Sequence, residues 1–384
     1  MSFKIAIVGG GPAGLTLARL LHQKGINYIV YERAESKDSQ LSGGSLDIHE
    51  ETGQAVLKEA GLFDEFRKYA RWEDDRSVLY DKDGKSYGEF GGQAAESAAR
   101  PEIDRLDLRK ILLESFPAEK LRWGSAVSGL RPDGNGKWSL DFSDGSSASD
   151  FDLVVGADGA FSKTRRMITT AKPQYAGSHY IESKISTEHP IYSSMSSRFG
   201  RGTSMALGGS REIILQTQGD GTYRIYFGML VPEDFTSRMI DLSNINATQQ
   251  TLLSSEYFGD WAEEYKSYIR HCDNFRSWPL HTFHEEDLSW KHVPGLTLMG
   301  DAAHLSVPDG EGVNCAMVDA LKLAEKITLH GTSDLNQAIA QYEEEMLDRG
   351  KKHIAHSKVI SKLMFHPDGP SALLQAFEHM QGEV

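Results

Sequence analysis

Three glycines and one acid stand where they could hold a dinucleotide. Residues Lys4 to Gly14 read KIAIVGGGPAG, an apolar run that breaks into glycines, and Glu32 closes the next apolar run at Tyr28 to Tyr31. Gly9 permits a tight turn, Gly11 lets backbone approach a pyrophosphate, and Gly14 lets the following helix pack close to the sheet. Pro12 and Ala13 complete the turn, and the helix start offers free N–H groups and partial positive charge to phosphate. Glu32 follows Gly11 by about twenty residues, the separation that sets a carboxylate against a ribose hydroxyl pair. The chemistry indicated is the binding of an adenine dinucleotide.

Two later stretches extend this reading. Phe151 to Arg166 reads FDLVVGADGAFSKTRR, a strand from Asp152 to Val155, a turn at Asp158 and Gly159, then a helix start. Leu296 to Asp319 reads LTLMGDAAHLSVPDGEGVNCAMVD, a short strand ending at Gly300, where Asp301 can reach a ribityl or ribose hydroxyl. Pro308 and two glycines lead into a helix beginning near Val313, whose first amides, on Gly312, Val313 and Asn314, are unpaired by the helix itself and free for an anion or carbonyl. Two amide-rich helix starts far apart in sequence suit a long cofactor, and FAD fits: the first takes the pyrophosphate, the last the isoalloxazine. His304 braces the loop after Asp301 rather than serving as a base.

The elements that must position these residues make an α/β protein. Residues 1–75, 100–172 and 278–331 carry the motifs and are expected to form one discontinuous, Rossmann-like FAD-binding domain. Residues 76–99 and 173–277 change texture. Ser77 to Glu89 holds a hairpin signal at Asp83-Gly84, and His179 to Pro232 alternates around a turn at Gly219 to Gly221. These insertions are expected to join into one antiparallel substrate-binding sheet across the ring end of the flavin. Residues 332–384 form a C-terminal helical segment, with a long surface helix over Leu335 to Val359. Glu343, Glu344 and Glu345 read as a solvated face, and His353 and His356 as surface histidines with no third ligand in view.

The 384 residues carry 41 Lys plus Arg against 55 Asp plus Glu, a net charge of −14, which disfavours nucleic acid or an anionic membrane as partner. Cys272 and Cys315 lie too far apart in sequence to indicate a disulfide framework or a zinc cluster. No apolar run approaches the roughly 20 residues of a membrane helix. The glycines and Pro12 interrupt the N-terminal run that could pass for a secretory signal. The expectation is a cytoplasmic monomer acting on a small molecule.

GGGPAG, GADGAFSKTR and GDAAH followed by PDGEGVN, in this order, resemble the class A flavoprotein monooxygenases, the aromatic-ring hydroxylases. GGSLDIHEETGQAVLKEAGL from Gly43 and PEIDRLDLRKILL from Pro101 look closest to the tetracycline-inactivating branch. The resemblance implies FAD contacts from Asp47, from Arg105 at the head of an amphipathic helix, and from Asp158, with Glu32 and Arg33 at the adenosine end. It implies transient reduction by NADPH, reaction with O2 to a C4a-hydroperoxyflavin, and transfer of one oxygen atom to an aromatic or multi-ring substrate, with no catalytic side chain beyond the flavin and no metal. The arginine expected before Gly43 and Gly44 is replaced around Gln40. The loop at Pro308-Asp309-Gly310 is one residue short, with Asp309 where the tetracycline enzymes carry an aromatic. Glu182 and Tyr226 stand where they use a glutamine and a histidine, so a more acidic pocket is expected. A flavoprotein oxidase or reductase without oxygen insertion, and a flavin redox sensor, fit the same motifs.

Overall fold

Apolar runs of only three or four residues, bounded by glycine or charge, are too short for helices and long enough to cross a buried sheet. The structure, a computed structural model, describes residues 3–39, 43–91, 100–331 and 334–382. It divides into two compact units, Met1–Tyr69 with Arg105–Gln174 and His281–Ser357, and Ala70–Asp104 with Tyr175–Leu280 and Lys358–Val384.

In the first unit, Leu296–Leu298, Leu153–Gly156, Ile5–Val8, Tyr28–Tyr31 and Leu121–Arg122 lie in that order as a parallel sheet. Ile5–Val8 and Leu153–Gly156 are buried at every position, as a parallel sheet covered on both faces requires. A three-stranded antiparallel meander, Val127–Pro132, Trp138–Phe142 and Ser147–Phe151, places Leu130, Trp138, Leu140 and Phe151 against Ala6, Val8 and Val154. Sequence patterning alone does not separate this meander from its surroundings. Helix Pro12–Gln23 begins three residues earlier than its apolar pattern, because Gly11 caps it and Pro12 supplies a preset first turn. It packs on helix Gly312–His330.

The second unit is built on a seven-stranded sheet in the order Arg276–Thr282, Gln174–Ile185, Tyr223–Met229, Arg211–Thr217, Thr203–Gly208, Arg76–Asp81, Ser86–Gly91. The hairpin at Gly84 is present, with Asp81 Oδ1 accepting from the amides of Asp83 and Lys85. The expectation of a wholly antiparallel sheet needs correction, since Thr203–Gly208 pairs in parallel with Arg76–Asp81. One face of the sheet is lined by alternate residues, among them Ile181, Ile213, Ile225 and Phe227, within an aromatic-rich core.

The C-terminal region is two helices, Leu335–Met364 and Pro370–Gly382. Leu363, Met364, Leu373 and Leu374 pack on Leu79, Met205 and Leu207 of the sheet, so the stretch from Lys358 belongs to the second unit rather than to a separate segment. Among the described residues, no helix is long and apolar enough to cross a membrane.

Candidate functional site

The glycine turn is built from steric need. Gly9 has φ +113°, and a Cβ there would lie 2.2 Å from the Ala157 carbonyl oxygen. A Cβ on Gly14 would lie 2.1 Å from Gly9 O and close to Ile7 and Ala157, so helix and sheet meet only because it has none. Gly11 is different: a Cβ there would meet nothing within 4 Å, so its bareness serves no protein contact. Glu32 accepts from the amides of Gly10 at 2.5 Å and Ala34 at 2.9 Å, tying the turn to the second strand. Arg33 is exposed. Arg109, which sequence reasoning missed, is buried beside this turn, with Nε 3.5 Å from Gly10 O and its guanidinium over the Trp123 ring.

Asp158 turns its carboxylate inward. It accepts from Ser162 Oγ at 2.5 Å and from the amides of Lys163 and Thr164, which closes the turn before the short helix Thr164–Met167. The neighbouring Arg165 is buried and donates to Ala160 O and Ala302 O, joining this turn to the Asp301 stretch.

Asp301 is exposed at the start of helix Asp301–His304. Pro308 is exposed, and the long helix begins at Gly312, one residue before its expected start. Cys315 N bonds to Glu311 O at 2.9 Å as the first turn of the helical ladder, which leaves the amides of Gly312, Val313 and Asn314 outside it. A Cβ on Gly312 would again meet nothing within 4 Å. The Asn314 side chain is fully buried and spends its groups on protein: Oδ1 accepts from His49 N at 3.0 Å, and Nδ2 donates to Asp47 O at 3.0 Å and Gly310 O at 3.2 Å. Thus Asp47 and the helix start are brought together. Arg105 lies against Gly43, where a Cβ would come 2.6 Å from its Nε. Gln40 lies outside the described residues.

Behind this loop the buried His304 and Asp319 form a brace with the partly exposed Arg349. Asp319 accepts from His304 Nε2 at 2.6 Å, Arg349 Nη2 at 2.6 Å and Gly300 N at 2.9 Å. Burial alone would discharge His304, but Asp319 outweighs it and holds the imidazole above its ordinary range. The same burial would protonate Asp319, and His304 and Arg349 together keep it below the usual carboxylate range. His304 is therefore the brace the sequence suggested.

Three expectations are corrected nearby. His353 is buried rather than on the surface, with Nε2 3.2 Å from Asp309 Oδ1 and 3.2 Å from Ser306 Oγ, while His356 is exposed. Asp309 is consequently turned into the protein, and adds no open acidity. Glu343 is buried against His292 and Thr297, and only Glu344 and Glu345 are solvated. For His353 and Glu343 a partner remote in sequence overrides the helical surface pattern.

In the second unit Glu182 and Tyr226 face each other across adjacent strands. By alternation they lie on the sheet face opposite Ile181, Ile225 and Phe227. Glu182 is only 4% exposed, its carboxylate paired with Arg224 and accepting from Trp278 Nε1 at 2.7 Å. Arg224 therefore compensates the acidity expected there. Glu212, on the neighbouring strand, is fully buried, accepts from the Tyr180 hydroxyl, and is pushed up to about 7 by burial. Gly228 makes room for that pair, since a Cβ on it would lie 2.5 Å from Glu212 Cγ and 2.6 Å from Tyr180 Cε1. Nothing local in the sequence marks Glu212, because the alternation that reveals a strand does not say which polar residue has a partner.

A family model described as FAD binding domain matches residues 2–193 and 260–357. Monooxygenase asqM of Emericella nidulans is 32% identical over 376 residues, covering 85% of this chain and 84% of its own length. The 3-amino-4-hydroxybenzoate 2-monooxygenase of Streptomyces cremeus is 28% identical over 378 residues, covering 96% and 89%. Among solved structures, tetracycline destructase Tet(51) matches with a TM-score of 0.73 at 19% identity, covering 100% of this chain and 96% of its own, a likeness of fold.

Proposed function

The chain belongs to the class A FAD-dependent aromatic hydroxylases and is an FAD-dependent monooxygenase, and from that premise we propose that it inserts one oxygen atom from O2 into an aromatic or multi-ring substrate at the expense of NADPH. The overall balance is substrate C–H, O2, NADPH and a proton giving C–OH, water and NADP+. Tetracyclines belong among the candidates on fold likeness and the quoted motifs.

The observation that carries the reading is the pair of bare glycines. Gly11 and Gly312 each open a helix, each has empty space where a side chain would go, and the two helices pack on one another. A dinucleotide with a phosphate end and a ring end needs two such amide-lined openings. We assign Gly9, Gly11, Pro12, Ala13 and Gly14 to the pyrophosphate, Glu32 and Arg33 to the adenosine end, Asp301 to a ribityl or ribose hydroxyl, and Gly312, Val313 and Asn314 with Pro308 to the ring, with Asp47, Arg105 and Asp158 holding the surrounding loops. Bound FAD supplies the redox chemistry and oxygen activation; the protein supplies position and excludes water.

Glu182 and Tyr226 are our candidates for orienting the ring substrate, Glu182 through the Arg224 and Trp278 that hold its carboxylate. The test is the ratio of hydroxylated product to NADPH consumed in Tyr226→Phe and Glu182→Gln. Product should fall and hydrogen peroxide rise while FAD content stays constant, because a misoriented acceptor loses proximity. An unchanged ratio in both removes these residues from the site.

A further inference from the structure

The ring of His49 lies between two carboxylates. Its Nε2 is 2.8 Å from Asp47 Oδ2, and its Nδ1 is 3.1 Å from Glu311 Oε1. A carboxylate only accepts, and a neutral imidazole has a single N–H, so both contacts are satisfied together only by the imidazolium. Burial works against that charge, yet the two hydrogen bonds outweigh it and push His49 up to about 9. Glu311 is the residue immediately before Gly312, and the His49 amide donates to Asn314, the third residue of the same helix. The loop cannot relax away. Gly53 is pressed so closely on Asn314 that a Cβ would lie 2.4 Å from Oδ1, and Gly310 so closely on Asp47 that a Cβ would lie 2.9 Å from Oδ2.

Without His49, two carboxylates would stand beside the helix start. Their field would oppose the partial positive charge that the amides of Gly312, Val313 and Asn314 present, at roughly half a unit charge. Asp47 and Glu311 are the charged groups that face His49. They leave the trio at a net charge of −1 with His49 charged and −2 without it.

We propose that His49 is a positioning and charge-compensating residue that limits the negative charge at the opening of helix Gly312–His330, and so makes reduction of FAD seated there more favourable. The inference rests on our assignment of that helix start to the flavin ring. Reduction adds negative charge to the ring system, so each unit of charge in the trio moves the equilibrium in a definite direction.

The test is anaerobic spectroelectrochemical titration of the FAD-loaded protein in the wild type, His49→Gln, Glu311→Gln and Gly312→Val, with the FAD dissociation constant of each. His49→Gln should favour oxidised FAD by about tenfold, a midpoint shift of about 30 mV to more negative potential for a two-electron couple. Glu311→Gln, which removes a carboxylate and leaves the charged His49, should move the potential the opposite way. Opposite shifts support the inference; any other pattern overturns it. If His49→Gln does not fold, the sign of the Glu311→Gln shift decides. Gly312→Val distinguishes the flavin seat from the role of His49. Weakened FAD binding in that variant with no opposed shifts in the others leaves the flavin seat standing and rejects the role of His49. Unchanged FAD affinity and spectrum in Gly312→Val rejects the seat itself.

Discussion

Glycines that look alike in GGGPAG differ in what their missing side chain does, and that difference is measurable. Gly9→Ala places a Cβ on a carbonyl oxygen in a backbone conformation that L residues avoid, so it should lower the melting temperature of the FAD-free protein by the equivalent of about 1–3 kcal/mol. The Cβ of Gly11→Val meets no protein atom, so its melting temperature without FAD should stay near the wild-type value while FAD binding is lost. Retained stoichiometric FAD in Gly11→Val would mean the pyrophosphate lies elsewhere. Glu212 offers a second test at this scale. Its buried carboxyl is pushed from its ordinary value of 4.5 to about 7, so between those values the native state holds a proton the unfolded chain has released. Stability must fall as pH rises through that window. Glu212→Gln keeps an acceptor for Tyr180 without the charge, and should match the wild type at pH 4 and exceed it by about 3 kcal/mol at pH 8. Equal denaturation midpoints at both values would show that the carboxyl ionises freely.

Which elements could be read in advance depended on how far apart their defining residues lie. The strand, turn and helix around Gly9 to Gly14 are written within one short stretch, as are the Gly84 hairpin and the strands flanking Gly219 to Gly221. His49 was not legible as part of a site, because its amide partner Asn314 is 265 residues away. Arg109 meets Gly10 across 99 residues. The long C-terminal helix was legible as a helix but not in its burial. Glu343 and His353 follow the polar pattern of a surface face, and only folding brings His292 and Asp309 to them. Gly350, an apparent flaw in that helix, is where it passes over His304, and a Cβ there would lie 2.8 Å from His304 Cβ. The brace it covers should matter to the element as a whole. Removing Asp319 leaves the buried His304 and the partly buried Arg349 without their partner, so Asp319→Leu should cost about 3–5 kcal/mol, read as a loss of chemical stability in denaturant. A loss below about 1 kcal/mol would show that the pair contributes little beyond its own desolvation.

At the scale of the whole molecule, fold and family fix the cofactor and the class of reaction, while the acceptor of oxygen has to be found by experiment. The two units carry different chemistry. One presents amide-lined helix starts, an exposed Asp301 and a charged His49; the other presents a sheet face with Tyr226, Arg224 and Trp278. On our assignment the first seats the flavin and the second orients the acceptor of oxygen. The most direct test of the central claim is therefore turnover of an aromatic and tetracycline panel with NADPH under isotopically labelled dioxygen, with mass analysis of the products and a parallel assay for peroxide. The expected result is a product heavier by one labelled oxygen atom, formed only when FAD, NADPH and dioxygen are all present. Peroxide matching NADPH consumption across the panel, with no labelled product, would contradict it.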